Sequence, residues 1–431
     1  VRLNCYSDAR TNFRPGFKKI HRIFPNPATS VIVLRNNGRS RMTIRNRAYI
    51  MGAYEHPTRK APDKSVAQLH AECARGALAD AGLTKDDVDG YFCAGDAPGM
   101  GPLSMVDYMN LKVRHVDATD IGGSSYLMLV AHAAEAIAMG KCSVALITLA
   151  GRPRSEGVAT GTQARAGNPN QPDVQWEYPF GVTVANAYAL CAMRHMHEYG
   201  TTSEQLAWIK VAASHHAQWN EHAMLRDVVT VEDVVNSPMV TDPLHRLDCC
   251  VISDGGGALV VVSPEIARTL NRPLIAVRGA GEAPKHTMAG GVDLTFSGGR
   301  WSGPIAFAEA GIKPSDIKYA SIYDSFTITV LMQLEDIGFC EKGQGGRFVS
   351  DGNLISGVGK LPFNTDGGGL CNNHPANRGG ITKVIEAVRQ LRGEAHPKVQ
   401  VPNCDLALAH GTGGLLGTRH GSATLILERQ S

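Results

Sequence analysis

The 431-residue chain lacks a strong excess of charge, a long apolar run and any Cys-x-x-Cys motif. Lys and Arg number 43 against 40 Asp and Glu, and a net charge of +3 is too small to make nucleic acid the main partner. Even this excess is local. Residues 1–41 contain nine basic residues and one acid, Asp8, so they hold +8 while the remaining chain holds −5. No stretch reaches the roughly 18 or more apolar residues of a membrane helix. The basic leader also lacks the continuous apolar segment of a secretory signal. None of the ten cysteines forms a Cys-x-x-Cys pair, and most sit among apolar neighbours, as in Leu190-Cys191-Ala192. Reduced, buried thiols are expected, in a cytoplasmic protein that stays off membranes.

What is present is chain enough for two or three packed units, with 43% apolar residues. Residues 1–41 show neither a helical nor a strand period, and a natural start, Met42-Thr43-Ile44, follows them, so this leader is expected to be a disordered tail. The rest is organised by an internal repeat. Ala77 to Asp89 matches Ala306 to Lys318, each reading as a small-residue helix, a Gly stop and a second start before an apolar strand. Tyr49 to Ala53 matches Ala276 to Ala280, Val144 to Leu146 matches Leu406 to Leu408, and Ala258 to Val262 matches Ala423 to Leu427.

One β-α-β-α-β-β plan is therefore used twice. The copies differ between their last two strands: about a dozen residues, His410 to Gly421, in the second and about a hundred, Gly151 to Asp254, in the first. A break that long is expected to be a subdomain that covers one face and helps choose the substrate. The reading gives an N-terminal half of residues 42–150 and 251–270, an insertion of 151–250 and a C-terminal half of 271–431. Apolar runs such as Val144 to Leu149 predict strands buried on both faces. The Ala-rich stretch from Leu127 to Met139 predicts an interior helix. Two α/β halves sharing central helices make a five-layer αβαβα fold, with a site where those helices begin.

Four polar segments could carry chemistry. Gly122-Gly123-Ser124-Ser125 is a turn from strand to helix, where glycines admit a ligand to the backbone and N–H groups can hold an oxyanion; tight turn packing explains it as well. Asn372-Asn373-His374-Pro375 offers a histidine among amides that can orient it. His410-Gly411-Thr412-Gly413 reads as a histidine leaving a buried strand into a glycine cradle. Tyr323-Asp324-Ser325-Phe326 ends an apolar strand, with Asp324 or Ser325 open to a plain helix-capping role. His195 and His197, two apart on a helix, point different ways, and His215, His216 and His222 lack companion ligands, so no catalytic metal is expected. Cys249-Cys250 reads as packing, and Cys371 would need an activating neighbour to compete as a nucleophile.

Together these segments resemble the thiolase superfamily, and within it the sterol-carrier-protein-like branch, over about residues 45 to 429. Tyr323-Asp324-Ser325-Phe326 stands where that family has Asn-Glu-Ala-Phe or His-Asp-Cys-Phe. Asn373-His374-Pro375 stands at its Gly-His-Pro motif, and His410-Gly411-Thr412-Gly413 at its Cys-x-Gly motif. The departures decide the chemistry. Gly123 or a neighbouring serine occupies the place of the nucleophilic cysteine, and no cysteine lies in that turn. Acylation through Ser124 or Ser125 would require a base within hydrogen-bond reach.

A retro-aldol cleavage of a β-hydroxyacyl-CoA needs no acyl-enzyme, only a base and an enolate site. The branch is similar to steroid side-chain aldolases. That similarity implies Tyr323 as a base, helped by a positive neighbour, with His374 or His410 as alternatives. It implies His410, Gly123, Ser124, Ser125, Asn373, Gly411 and Gly413 around the thioester oxygen. It also implies a coenzyme A thioester as substrate with no covalently bound cofactor, a homodimer, and a small zinc-ribbon/OB-fold partner protein. An acyltransferase with an atypical nucleophile and a noncatalytic acyl-CoA carrier are the competing readings.

Overall fold

The computed structural model describes residues 43–95, 97–159, 183–286, 291–375 and 379–430, together with 170, 175 and 177. The leader of residues 1–41 and most of residues 160–182 lie outside the described residues. The first copy of the repeat runs β1 (Tyr49–Glu55), α1 (Val66–Ala81), β2 (Gly90–Cys93), α2 (Pro102–Tyr108), β3 (His115–Ala118), α3 (Ser125–Ala138) and β4 (Val144–Gly151). A long connection follows, with α4 (Val184–Tyr199), α5 (Ser203–Ala217) and a small ribbon of β5 (Met239–Thr241) and β6 (Leu244–His245). It ends at β7 (Gly255–Val262). The second copy is β8 (Leu274–Lys285), α6 (Gly299–Ala310), β9 (Tyr319–Ile322), α7 (Thr327–Ile337), α8 (Gly368–Cys371), α9 (Gly380–Arg392), β10 (Leu406–Gly414) and β11 (His420–Gln430).

The strand order β3-β2-β4-β7-β1-β8-β11-β10-β9 places the two copies side by side as mirror-ordered half sheets. They join where Tyr49 of β1 pairs with Ala276 of β8. In the second half Phe363 takes the position of β3, bridging Ala320 of β9 in parallel. Matching stops end the matching helices: Gly82 after α1 and Gly311 after α6 both adopt left-handed φ, 72° and 68°.

Side chains alternate between the faces of each strand, and this parity builds the layers. Ile147, Leu259, Ala409 and Leu425 point inward onto α3 and α9, where they meet Leu127, Val130, Ile381 and Val388. Leu146 and Val260 point outward onto Cys73 and Ala77 of α1. Leu408 and Ile426 point outward onto Ala306 of α6 and Leu331 of α7. The result is the five-layer αβαβα order. Strands β4 and β7 are buried at every position, which is why they read as unbroken apolar runs. Each fully buried Leu or Ile contributes about 1.5–3 kcal/mol, and both the central layer and the outer side of the second half are rich in them.

The connection between β10 and β11 is only residues 415–419, shorter than the dozen residues read from sequence. Both strands continue through their glycine-rich segments. His410 therefore sits within β10, opposite Thr424, rather than at its exit. The long connection packs on the outer side of the second half, where Cys191, Ala192, Ile209 and Ala213 share a cluster with Leu331. His195 ties it down, sitting between Thr201 (2.9 Å) and Glu335 (3.0 Å). Among the described residues no helix is long and apolar enough to cross a membrane.

Candidate active site

The turn before α3 is built by its own hydroxyls. Ser124 Oγ donates to the Ile121 carbonyl at 2.6 Å, and Ser125 Oγ accepts from the Ile121 N–H at 2.8 Å. Both serines expected to face substrate are thus engaged in shaping the turn. The turn lies against β10, where a Cβ at Gly411 would crowd the Gly123 carbonyl at 3.0 Å and strike the Leu127 side chain, and one at Gly413 would collide with the Ile121 carbonyl. These glycines admit one backbone to another; the strand is not an open cradle.

Tyr323 follows β9, and its N–H donates to the His410 carbonyl at 2.9 Å, which fixes where the ring begins. The ring is 4% exposed. Its hydroxyl lies 2.9 Å from His374 Nε2, with the two rings edge to face at 5.5 Å. A Cβ built on Gly123 would lie 2.3 Å from Cε2 of the Tyr323 ring. The phenol therefore fills the space in which a side chain at position 123 would stand.

Several buried bonds hold the histidine. The His374 N–H donates to Ser253 Oγ at 2.9 Å, and that hydroxyl donates to Asn373 Oδ1 at 2.6 Å. Asn373 Nδ2 in turn donates to Glu55 at 2.9 Å. Asp324 does not cap α7, the helix that follows it. It accepts from the N–H groups of Gly369 (2.8 Å) and Leu370 (3.1 Å) and pairs with the buried Lys383 at 2.7 Å. The residue beside Tyr323 thus anchors both α8, which leads to His374, and α9.

The electrostatics favour neutral partners. Burial lowers the His374 imidazole to about 4; Asp324 acts the other way without overcoming it. Burial, followed by Cys250, Tyr188 and Asp324, pushes the Tyr323 phenol well above its ordinary range, while the Gly379 backbone pulls it down slightly. A free phenolate aided by a positive neighbour, as expected from the resemblance, is not what this environment supplies. The environment holds a neutral phenol against a neutral imidazole.

His410 is not part of this pair. Its neighbours Gly411 and Gly413 face the turn, so by strand parity its own side chain points to the outer face. There Nδ1 meets Thr424 at 2.8 Å, and Thr424 meets Ser302 at 2.9 Å. Burial lowers its imidazole to about 3. The structure brings together Gly123, Tyr323 and His374, with Asn373 behind them, and leaves His410 on the far side of its own strand.

Sequence reasoning missed Ser253, Asp324 as an anchor, and Tyr188, which stacks on Phe326 at 4.4 Å beside Ser325. It also missed Cys250, whose backbone N–H donates to the Ser325 carbonyl at 2.9 Å. Ser253, Tyr188 and Cys250 reach the site from other parts of the chain, and Asp324, although inside the Tyr323 motif, anchors through distant partners that no local pattern marks. Burial pushes the Cys250 thiol far up, so it is no ready thiolate. Cys371 has the Lys210 amino group at 3.1 Å, yet it is wholly buried and burial raises its thiol too.

A duplicated five-layer frame with a buried phenol hydrogen-bonded to an imidazole beside the start of a central helix defines a thiolase-fold enzyme. Residues 281–429 match the thiolase C-terminal domain-like family. Over 345 residues the chain is 38% identical to the steroid side-chain-cleaving aldolase of Thermomonospora curvata, covering 77% of this chain and 86% of that protein. Over 368 residues it is 34% identical to the acetyl-CoA acetyltransferase of Methanothermobacter thermautotrophicus, covering 83% and 93%. The solved structure of an Ltp2-ChsH2(DUF35) aldolase superposes with a TM-score of 0.80 at 33% identity, over 90% of this chain and 99% of that one. The chain belongs to the thiolase superfamily and is an enzyme of it.

Proposed function

We propose that this enzyme is an acyl-CoA lyase that cleaves a bulky β-hydroxyacyl-CoA of the steroid side-chain type by retro-aldol chemistry. The observation that carries the reading is the Tyr323 ring seated against Gly123, which leaves no space for a nucleophilic side chain at position 123. The similarity to a steroid side-chain-cleaving aldolase supports the substrate class.

In this mechanism the β-hydroxyl proton of the substrate passes to the Tyr323 oxygen while the phenol passes its own proton to His374 Nε2, 2.9 Å away. The Cα–Cβ pair of electrons moves into the thioester, the carbonyl product leaves, and an enolate remains. The backbone N–H groups of Gly123 and Ser124, at the positive end of α3, hold the enolate oxygen, while that of Ser125 is taken by the Gly122 carbonyl. The proton then returns through Tyr323 to the α-carbon, giving the shortened acyl-CoA. Such a relay suits a phenol and an imidazole that are both neutral at rest, since neither has to be ionised beforehand. Asn373 and Ser253 orient His374, and Gly411 and Gly413 let the turn approach β10.

The substrate is a coenzyme A thioester, and no covalently bound cofactor takes part. A homodimer in the cytoplasm fits the edge position of β3, the last strand of the sheet, with Val116 and Ile121 exposed beside it. A small zinc-ribbon/OB-fold partner is also part of the proposal, supported by the two-component make-up of the Ltp2-ChsH2(DUF35) aldolase on which this chain superposes.

The test is product analysis with intact mass. A β-hydroxyacyl-CoA carrying a steroid side chain, given to the enzyme with its partner, is expected to yield a ketone and a shorter acyl-CoA. The protein mass should stay unchanged throughout. A stable acyl adduct would establish the transferase reading instead, and binding without cleavage would make the protein a carrier.

A further inference from the structure

Lys210 is a lysine of α5 that is only 1% exposed. Its Nζ donates to the Leu370 carbonyl at 2.7 Å and approaches Cys371 Sγ at 3.1 Å. Cys371 is the last residue of α8 and has no exposed surface. Among the described residues no carboxylate pairs with Lys210, although an isolated buried amino group normally requires one. Neither side chain is needed for the mechanism above. A primary amine and a thiol are thus locked in contact, shielded from water and from acyl-CoA, on two elements far apart in sequence.

We propose that Lys210 and Cys371 form an oxidative modification site, in which one oxygen atom bridges Lys210 Nζ and Cys371 Sγ. Dioxygen is the oxidant. One of its atoms becomes the bridge, forming an N–O and an S–O bond. The thiol S–H and one N–H of the Lys210 amino group are broken, and the two hydrogens leave with the second oxygen atom as water. Nitrogen and sulfur each give up two electrons, which together account for the four that dioxygen accepts. The bridge ties α5 of the long connection to the turn that leads from Cys371 to His374. A thiol reductant reverses it by returning the amine and the thiol.

The experiment uses the full chain. One sample is held under oxygen and another under a phosphine reductant, and both are unfolded, alkylated, digested and analysed by mass spectrometry. The oxygen sample should give a linked peptide pair containing Lys210 and Cys371, heavier than the reduced pair by one oxygen and lighter by two hydrogens. Reductant should release it. The Lys210→Arg variant, which keeps the charge but not the primary amine, should give no linked pair. Full alkylation of Cys371 after oxygen exposure would overturn the proposal. So would a sulfenic acid without linkage, or a linked pair without the added oxygen. The wild-type samples alone decide the outcome, so the test stands even if the variant folds poorly.

Discussion

Replacing Gly123 by alanine adds one methyl group at the most crowded point of the site. The new Cβ would lie 2.3 Å from the Tyr323 ring, whereas carbon atoms at rest stay about 3.5 Å apart or more, so the ring has to retreat by about 1 Å. The ring has little room, because the Thr412 carbonyl lies only 2.5 Å from the same added atom. Overpacking of this kind costs about 1–3 kcal/mol of stability. The larger effect is on catalysis. A shift of about 1 Å at the hydroxyl spoils its 2.9 Å contact with His374, and a misplacement of that size lowers turnover by about 100-fold. Steady-state cleavage of the β-hydroxyacyl-CoA, with product quantified by mass spectrometry, gives kcat. Tyr323→Phe serves as the control, since it keeps the ring and removes the proton path; it should lose about 100-fold or more with little change in melting temperature. The double variant should be scarcely worse than Tyr323→Phe, because the contact that Gly123→Ala disturbs is already gone. A Gly123→Ala enzyme with kcat within about threefold of wild type would refute the seating of the ring and the mechanism built on it.

Lys383→Met strands Asp324 in the interior. With its cation gone but two N–H donors kept, the loss should be about 3 kcal/mol in a urea titration, and a loss below about 1 kcal/mol would show that the pair contributes little. His410 gives a pH signature. Burial holds its imidazole at about 3, below the ordinary 6.5, so the unfolded chain takes up that proton first as pH falls. Its contribution is complete above pH 6.5 and is lost progressively toward pH 3. His410→Gln carries no such proton, so by about pH 5 it should gain about 2 kcal/mol on wild type relative to the gap at about pH 7. Identical gaps at the two pH values would refute the neutral, buried assignment.

The repeat was legible because its signals are local. A small-residue helix closed by Gly82 or Gly311, and apolar strands at matching offsets, need no long-range contact to be recognised. Tyr323 and His374 could be picked out for equally local reasons: Tyr323 ends an apolar strand, and His374 lies among amides before a proline. The direction of His410 could not be read. In a strand buried on both faces, parity decides which layer a side chain enters, and an apolar run gives no clue to parity. Ser253 escaped notice and Asp324 was read only as a possible cap, because their roles are partnerships, with Asn373 in one case and with Lys383, Gly369 and Leu370 in the other.

The sequence by itself determined the doubled plan and the lack of sulfur at the head of α3, since periodicity and residue identity are written along the chain. Only the tertiary structure decided that Tyr323 occupies the space beside Gly123, that His374 meets its hydroxyl, and that His410 faces away. These follow from close approach between segments far apart in the chain, and such contacts are set by how the layers pack, not by any single segment.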